Sequence, residues 1–524
     1  MPDHPAPRRC FLQSAIGTAA ALAAQNPAWA QTAAVRSPRP NILLIMADQM
    51  VPMLTGAYGH PVVQTPNLDR LVKRGVRFEA AYSPNPLCAP ARACLMTGRR
   101  SSRIAVHDNA SPLHSDEPTI AHYLTNADYD TAWSGKMHFV GPDQHHGLKR
   151  RLSPDIYPAD FTWTKSRDKK VPGQHARNYI ASGIHVGRED LRRDPARDLH
   201  GNLALDEEAH RKALAYLEAR AKKPAEPFFL GVSYNYPHEP FWPSKELWDL
   251  YENRPIDIPQ FPANFEQTYS VMDRWLNRHH GADRHDVKNS ESLKILHRAY
   301  YALVTYADRK VGELLDALER TGADKNTIIL FTSDHGDMLG HKGMVQKRSF
   351  YEWSARVPLI LTMPNGQWAG RKVAEPVSLI DIMPTLLELA KIEPDPLLPI
   401  DGRSLTGLAA GTAAPGRVAF SESHSEGVHA TCFMARKGDF KYTYIHGHSP
   451  QLFNVKTDPE EWTNLAGNST HSAIESELHG LILKEFDPTR IERDLRESIA
   501  RRERTGPALK RNGQDWQFQP DPIE

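Results

Sequence analysis

Continuous runs of apolar residues predict four strands along the chain. They cover residues 41–46 after Pro40, then 227–233, 327–332 and 357–361. An apolar run without polar alternation is typical of a strand buried on both faces, as in a parallel sheet. The pattern therefore predicts a sheet with packed layers on both sides.

Apolar residues at helical spacing predict helices between these strands. One helix is expected to stop at Gly322, and another covers residues 381–389 with Pro384 in its first turns. Strands that alternate with helices predict an α/β fold, in which helices flank a mostly parallel sheet. The helix before Gly322 has an apolar face made of Tyr300, Val304, Val311, Leu314, Leu315 and Leu318.

The pattern changes after about residue 415, where short strand-like pieces replace the long runs. These pieces cover residues 432–435, 440–445 and 451–455 and predict a small antiparallel subdomain. A charged helix and a proline-rich tail follow. We therefore expect a main α/β domain over residues 38–414, a small subdomain over 415–480, and a helix with an extended tail over 481–524.

The N-terminus has the order of features found in a twin-arginine signal peptide. Arg8 and Arg9 precede a short apolar run over residues 15–24 and an Ala-x-Ala cleavage signal at residues 28–30. We therefore predict a leader over residues 1–30 and export to the periplasm or the medium. The apolar run is too short to span a bilayer and no longer run exists, so no membrane anchor is expected.

Composition excludes some classes of function and draws attention to the cysteines. The 524 residues are 40% hydrophobic and 24% charged with a net charge of +1, so charge gives no case for nucleic-acid binding.

Cys10 would leave with the leader, and Cys88, Cys94 and Cys432 would remain. Three thiols in an exported protein are too few for a disulfide framework, so one of them is expected to have another purpose.

Polar residues follow three of the predicted strands at their C-terminal ends. Asp48 follows the first strand, His238 lies just beyond the second, and Asp334 and His335 follow the third. Ligands of open α/β sheets bind at this edge. We therefore expect a functional site where these four side chains converge.

The most specific chemical motif is Cys-x-Pro-x-Arg from Cys88 to Arg92, followed by Thr-Gly-Arg at residues 97–99. This segment resembles the signature of the sulfatase family, whose members have the alkaline-phosphatase-like fold. The resemblance implies that a formylglycine-generating enzyme oxidises Cys88 to formylglycine, and that Cys94 is a buried packing residue. The hydrated aldehyde has two hydroxyls on one carbon. One displaces the alcohol from sulfur, and deprotonation of the other expels sulfate.

The resemblance also implies a divalent metal site. Asp48, Gln49, Asp334 and His335 match the metal-ligand positions of the family. A ligand set rich in oxygen favours a hard cation, so Ca²⁺ is expected. Mn²⁺ is the alternative because His335 adds a nitrogen ligand.

Cations and polar groups complete the site that the resemblance implies. Lys136 and Lys347 match sulfate-binding lysines, whose charge would stabilise negative charge on the sulfate oxygens. Lys136 and His138 are two residues apart and would share a face on an extended segment. The other implied roles are His138 as acceptor of the hydrate's proton, Arg92 as partner of the formylglycine hydroxyl, His238 as donor to the leaving alcohol, and Asn109 as a sulfate donor.

Longer segments resemble choline sulfatases and imply a small sulfate ester as the substrate. They cover residues 135–144, 155–163, 504–509 and 516–520. In these relatives the C-terminal tail reaches a neighbouring subunit, so the resemblance implies a homo-oligomer, either a dimer or a tetramer.

The substrate pocket departs from the choline-sulfatase pattern. Trp163, with Glu422 or Glu426, could surround a quaternary ammonium through an aromatic face and a negative charge. Residues 422–427, however, lack the tyrosine of the family's Glu-Tyr-x-x-Glu-Gly pattern. Another small alkyl or aryl sulfate is therefore the alternative expectation.

Two other functions are open on the sequence. A phosphonate monoester or phosphodiester hydrolase on the same scaffold can share the cysteine and the metal ligands, although Lys136 and His138 favour the sulfatase. A non-catalytic binding protein that kept the fold is the second alternative. The presence of every nominated catalytic position disfavours it.

Overall fold

A mixed sheet of eight strands forms the centre of the protein in a computed structural model, which describes residues 39–157, 159–161, 175–187, 202–513 and 516. The leader over residues 1–30 and Trp163 lie outside the described residues. In sheet order the strands are β10 (Arg371–Val373), β2 (Gly75–Phe78), β9 (Leu359–Thr362), β7 (Thr327–Ser333), β1 (Asn41–Ala47), β6 (Phe228–Tyr234), β4 (Asp130–Gly135) and β5 (Arg150–Arg151).

Most neighbouring strands of this sheet are parallel, which confirms the predicted sheet type. Strand β9 is antiparallel to both of its neighbours, β2 and β7. The predicted strand over residues 357–361 is divided at Pro358, because proline cannot donate a hydrogen bond to a strand ladder. Its first part forms a separate small sheet with the order β11 (Val377–Ser378), β3 (Ala81–Tyr82) and β8 (Arg356–Val357), and its second part is β9.

Side chains of β1 point alternately into two hydrophobic cores. Leu43 and Ile45 pack in the core that contains α7 (Ser290–Thr321), whereas Ile42 and Leu44 pack in the core that contains α9 (Ile382–Leu389). This double burial explains the unbroken apolar run. Gly322 ends α7 with a left-handed φ of 71°, as the sequence predicts.

The remaining helices connect the strands and close the chain. They are α1 (Pro66–Arg74), α2 (Cys88–Thr97), α3 (Ile120–Asn126), α4 (Asn202–Ala221), α5 (Lys245–Asp249), α6 (Val271–His280), α8 (Glu352–Ala355), α10 (Thr406–Ala410), α11 (Ser472–Glu485) and α12 (Pro488–Arg511). No helix in the described part of the chain is both long and apolar enough to cross a membrane.

A four-stranded antiparallel sheet confirms the change of pattern after residue 415. Helix α11 packs on this sheet through Leu478 and Ile482 and continues across residue 480, where the sequence suggested a boundary. The first strand was not recognised in the sequence. The strands are β12 (Val418–Ser423), β13 (Cys432–Lys437), β14 (Phe440–Ile445) and β15 (Gln451–Asn454).

A buried ion pair ties the C-terminal helix α12 to the main domain. Arg502 Nη2 donates to Asp108 Oδ2 at 2.7 Å, and both side chains are almost fully buried. Residues 504–509, assigned to the tail region on sequence, belong to α12. Beyond the helix, Trp516 contacts Phe161 of the same chain, with 5.2 Å between ring centres.

Replacing Arg502 by methionine is expected to lower the free energy of unfolding by about 3 kcal/mol, because the Asp108 carboxylate would stay buried without its counter-charge. Arg501 is the matched control. Its side chain is 67% exposed and lies 3.6 Å from Glu497, so Arg501→Met should cost less than about 1 kcal/mol. Denaturant unfolding of both variants measures the difference, and equal losses would contradict the anchoring role of the buried pair.

Candidate active site

Two neighbouring strands place a pair of aspartates side by side. Strands β1 and β7 are parallel with Ala47 opposite Ser333, so the next residues, Asp48 and Asp334, leave the sheet together. His335 turns towards them: its Nδ1 lies 3.0 Å from a backbone carbonyl, and its Nε2 lies 3.7 Å from each carboxylate. The convergence expected at the strand ends is observed for these three residues.

Cys88 is the first residue of α2 and lies against this acidic pair. Its Sγ is 3.2 Å from His335 Nε2. Burial raises the pKa of the Cys88 thiol, but the positive charges of Lys136, Lys347 and His335 together hold it well below its usual range. Side chain 88 therefore lies in a buried environment that strongly favours negative charge.

Arg92, one turn into α2, ties the motif helix to the aspartates. Its Nε donates to Asp334 Oδ2 at 2.8 Å, and its Nη2 donates to Asp48 Oδ2 at 3.2 Å. Its Nη1 donates to the carbonyl oxygen of Lys136 at 2.6 Å. One completely buried guanidinium thus connects the helix, both acids and the end of β4.

The buried acids and His335 have the donor types of a divalent metal site. One ligand atom from each of Asp48, Cys88, Asp334 and His335 lies within 4.8 Å of the others. Asp48 Oδ1 is buried without a hydrogen-bond partner among the described residues, so it is an acceptor available to a cation. Carboxylate oxygens and an imidazole nitrogen suit Ca²⁺ or Mn²⁺. The donor set therefore fits a divalent metal.

Acids that sequence analysis did not identify orient the Gln49 amide. Its Nε2 donates to Glu239 Oε2 at 3.0 Å, to Asp337 Oδ2, and to the Tyr179 hydroxyl at 3.1 Å. Because the amide nitrogen faces two carboxylates, the amide oxygen faces the other way. There Gln49 Oε1 accepts a hydrogen bond from Lys347 Nζ.

The sequence suggested an extended segment from Lys136 to His138. In the structure the chain turns at His138 instead, where φ is 62°. Asp155 Oδ2 holds this turn by accepting the His138 backbone N–H at 2.6 Å. Both side chains still contact the same ring, because Lys136 Nζ lies 4.5 Å from the Tyr157 ring centre and the His138 ring centre lies 4.4 Å from it. Lys136 also forms a buried ion pair with Asp48.

His238 lies between a lysine and a carboxylate. Lys347 Nζ is 2.8 Å from His238 Nε2, and Glu239 Oε2 is 3.1 Å from His238 Nδ1. Burial lowers the pKa of His238, but the Glu239 carboxylate, helped by Asp48, outweighs burial and raises the pKa above its ordinary value. The raised pKa shifts His238 towards its protonated form.

The residues named for substrate binding have different surroundings. Asn109 Oδ1 accepts from the Ala89 backbone N–H at 3.0 Å, next to side chain 88, and Glu426 accepts from the Asn109 backbone at 2.7 Å. Glu422 instead lies 2.8 Å from His424 Nε2 and is buried. The structure thus brings Asn109 next to Cys88, places Glu426 against Asn109, and gives Glu422 an internal histidine partner.

The fold is a mixed α/β sheet, and paired aspartates lie beside the first residue of a helix. This fold and site place the protein among the hydrolases of the alkaline phosphatase superfamily. The Sulfatase family profile matches residues 40–392, and the profile of the N-sulphoglucosamine sulphohydrolase C-terminal region matches residues 340–487. The chain belongs to the sulfatase family and is a sulfuric ester hydrolase.

The similarity to named relatives extends over most of the chain. The choline-sulfatase of Rhizobium meliloti is 37% identical over 497 residues, which cover 93% of this chain and 94% of the relative. The arylsulfatase of Clostridium perfringens is 31% identical and covers 86% of this chain and 95% of its own. The phosphonate monoester hydrolase structure of Agrobacterium radiobacter superposes with a TM-score of 0.67 at 26% identity, covering 85% and 95%.

Proposed function

We propose that this enzyme hydrolyses a small alkyl or aryl sulfate monoester through a formylglycine that a formylglycine-generating enzyme makes from Cys88. The observation that carries the proposal is the position of Cys88, which is buried beside paired aspartates and held among Lys136, Lys347 and His335. Choline-O-sulfate is one candidate substrate, because a relative over nearly the whole chain is a choline-sulfatase.

The side chains around residue 88 form two groups, one that acts on the nucleophile and one that acts on the leaving alcohol. Formylglycine supplies a hydrated aldehyde, in which one hydroxyl attacks sulfur and the other permits release of sulfate. Lys136 and Lys347 hold the sulfate oxygens, with Asn109 as a further donor, and stabilise their charge. His138, beside Lys136, takes a proton from the nucleophile side, and His238, beside Lys347, protonates the alcohol oxygen.

Asp48, Asp334, His335 and the Gln49 amide oxygen would hold a divalent ion, with Ca²⁺ expected and Mn²⁺ the alternative. The bound ion supplies positive charge that lowers the pKa of a nearby hydroxyl. Arg92 keeps both aspartates in position and adds its own charge beside the nucleophile.

A comparison of two substrates with the same alcohol tests this proposal. The kcat/KM for a sulfate monoester should exceed that for the matching phosphonate monoester. A dominant phosphonate rate would favour the function of the structurally similar phosphonate monoester hydrolase instead. Mass spectrometry of the peptide that contains residue 88 tests the remaining alternative, because an unmodified thiol in protein co-produced with the maturation enzyme would favour a non-catalytic binding protein.

Activity should fall on the alkaline side as His238 loses its proton, with an apparent pKa above the ordinary value for histidine. Glu239→Gln removes the carboxylate that raises this pKa, so the alkaline limb of the kcat/KM profile should move to lower pH. Glu422→Gln is the matched control, since this buried glutamate contacts His424 instead, and it should leave the limb in place. An alkaline limb that is the same in Glu239→Gln and the unchanged enzyme would argue against His238 as the proton donor.

We also propose that residues 1–30 are a twin-arginine leader and that the C-terminal tail joins subunits into a dimer or tetramer. N-terminal sequencing of protein from the periplasmic fraction tests the leader, and a start near residue 31 is expected.

Light scattering of the mature enzyme and of a chain that stops at residue 513 tests the role of the tail, and the shorter chain should dissociate. A full chain that is monomeric would contradict the assigned role of the tail.

A further inference from the structure

A series of polar contacts connects the two sides of residue 88, and we call it the polar rim. It starts at Asn109, beside the first turn of α2, and ends at His238. Gln346 Nε2 donates to Glu239 Oε1 within it. The members of the polar rim, in order, are Asn109, Glu426, Arg348, Gln346, Glu239 and His238.

The central pair of the polar rim is an ion pair that is almost fully buried. Arg348 Nη2 donates to Glu426 Oε2 at 2.7 Å, and the two side chains are 5% and 9% exposed. Glu426 also accepts the Asn109 backbone N–H at 2.7 Å and its amide at 3.4 Å. The carboxylate that the sequence nominated for a substrate cation therefore already has a cation partner.

Releasing Glu426 to a substrate cation would be unfavourable. It would leave the Arg348 guanidinium buried without its counter-charge, and such an isolated charge is far less stable than a paired one. The Arg348–Glu426 pair therefore offers hydrogen bonds without a net charge.

Two polar atoms next to this pair have unused hydrogen-bonding capacity. Arg348 Nη1 lies 3.3 Å from His280 Nε2. Arg348 Nε and His280 Nδ1 have no hydrogen-bond partner among the described residues, although both are buried. A donor and a ring nitrogen in this position suit hydroxyl groups, whereas a quaternary ammonium has no hydrogen-bonding group to offer them.

We propose that Arg348 determines substrate specificity by neutralising Glu426, so that the enzyme prefers sulfate esters of uncharged, hydrogen-bonding alcohols over esters of quaternary ammonium alcohols. This inference rests on the proposed sulfate-ester hydrolysis. It places the alcohol against the polar rim because the proposed donor to the alcohol, His238, is a member of that rim.

A pair of isosteric substrates measures the effect of charge alone. Choline-O-sulfate and its neutral isostere, in which carbon replaces the nitrogen, have the same shape and the same reacting group. The ratio of kcat/KM for the charged ester to kcat/KM for the neutral one should be below one in the unchanged enzyme. A ratio of one or more would overturn the inference.

Variants of Arg348 test its role in specificity, and the same ratio of kcat/KM values is measured for each. Arg348→Met frees the Glu426 carboxylate and should raise the ratio by about tenfold. Arg348→Lys keeps the positive charge and is the matched control, with a ratio close to that of the unchanged enzyme. A second variant, Glu426→Gln, leaves Arg348 without its partner and should lower the ratio. If Arg348→Met changes kcat/KM for both esters by the same factor, Arg348 does not determine specificity.

Failure of the inference and failure of the proposed function give different results. If neither of these esters nor an aryl sulfate is hydrolysed, the proposed function is wrong, and the dissociation constants of the two esters measured by calorimetry still decide whether the pocket prefers a neutral ligand. If Arg348→Met does not fold, inhibition of the unchanged enzyme by choline and by the isosteric neutral alcohol decides the same question. Stronger inhibition by choline would overturn the inference.

Discussion

Replacing Cys88 by alanine is expected to reduce sulfate-ester hydrolysis by at least about 10⁴-fold, because no other group can supply the covalent step. The fold should persist, since the substitution removes one sulfur from the first turn of α2. Circular dichroism and thermal unfolding check the fold, and steady-state kinetics check the activity. Mass spectrometry of the unchanged enzyme should find an aldehyde at residue 88.

Cys432 provides the matched control for this substitution. It is a buried cysteine on β13, outside the acidic cluster, and its Sγ lies 3.4 Å from the Ala430 carbonyl oxygen. Cys432→Ala should lower stability by about 1 kcal/mol and leave kcat within about twofold. If Cys88→Ala retained activity comparable to Cys432→Ala, residue 88 could not be the nucleophile.

Replacing Asp334 by asparagine is expected to remove the bound divalent metal and to lower kcat by at least about 10³-fold. The asparagine has nearly the same shape, but it lacks the charge that balances a divalent ion. It also leaves Arg92 with one ionised partner instead of two. Metal analysis should find close to one ion per chain in the unchanged enzyme and a large deficit in the variant.

Asp308 is the matched control for the metal prediction. This buried aspartate lies on α7, and it accepts the backbone N–H groups of Asn67 and Leu68 at the start of α1. Burial raises its pKa to about 7, so it is only partly ionised near neutral pH. Asp308→Asn should lower stability but keep the metal. Equal metal content in Asp334→Asn and Asp308→Asn would contradict the assigned ligand.

Much of the fold could be predicted because local patterns report burial directly. Strands β1, β6 and β7 are buried on both faces, and helix α7 has one apolar face, so each has a recognisable spacing. Strand β12 was missed because Ser421, Glu422 and Ser423 are polar although buried, so the segment shows no apolar run. Proline at position 358 divided one predicted strand between two sheets, a change that the apolar run alone did not indicate.

The candidate site was predictable where chemistry is encoded in short motifs. Cys88 and Arg92 lie one helical turn apart, and Asp48 and Asp334 follow strands that pair in register. Glu239 and Asp337 were missed although each lies within three residues of a nominated position. Their importance depends on the Gln49 amide that both contact, which is far from them along the chain.

The sequence by itself determined which reactive groups this protein has and at which edge of the sheet they gather, because strand ends and helical turns are local features of the chain. Only the tertiary structure decided how those groups are charged and oriented. Glu426 is neutralised by Arg348, 78 residues away, and the Gln49 amide is oriented by Glu239, 190 residues away. Electrostatic interactions act through space, so the state of a buried charge depends on partners that the order of residues does not reveal.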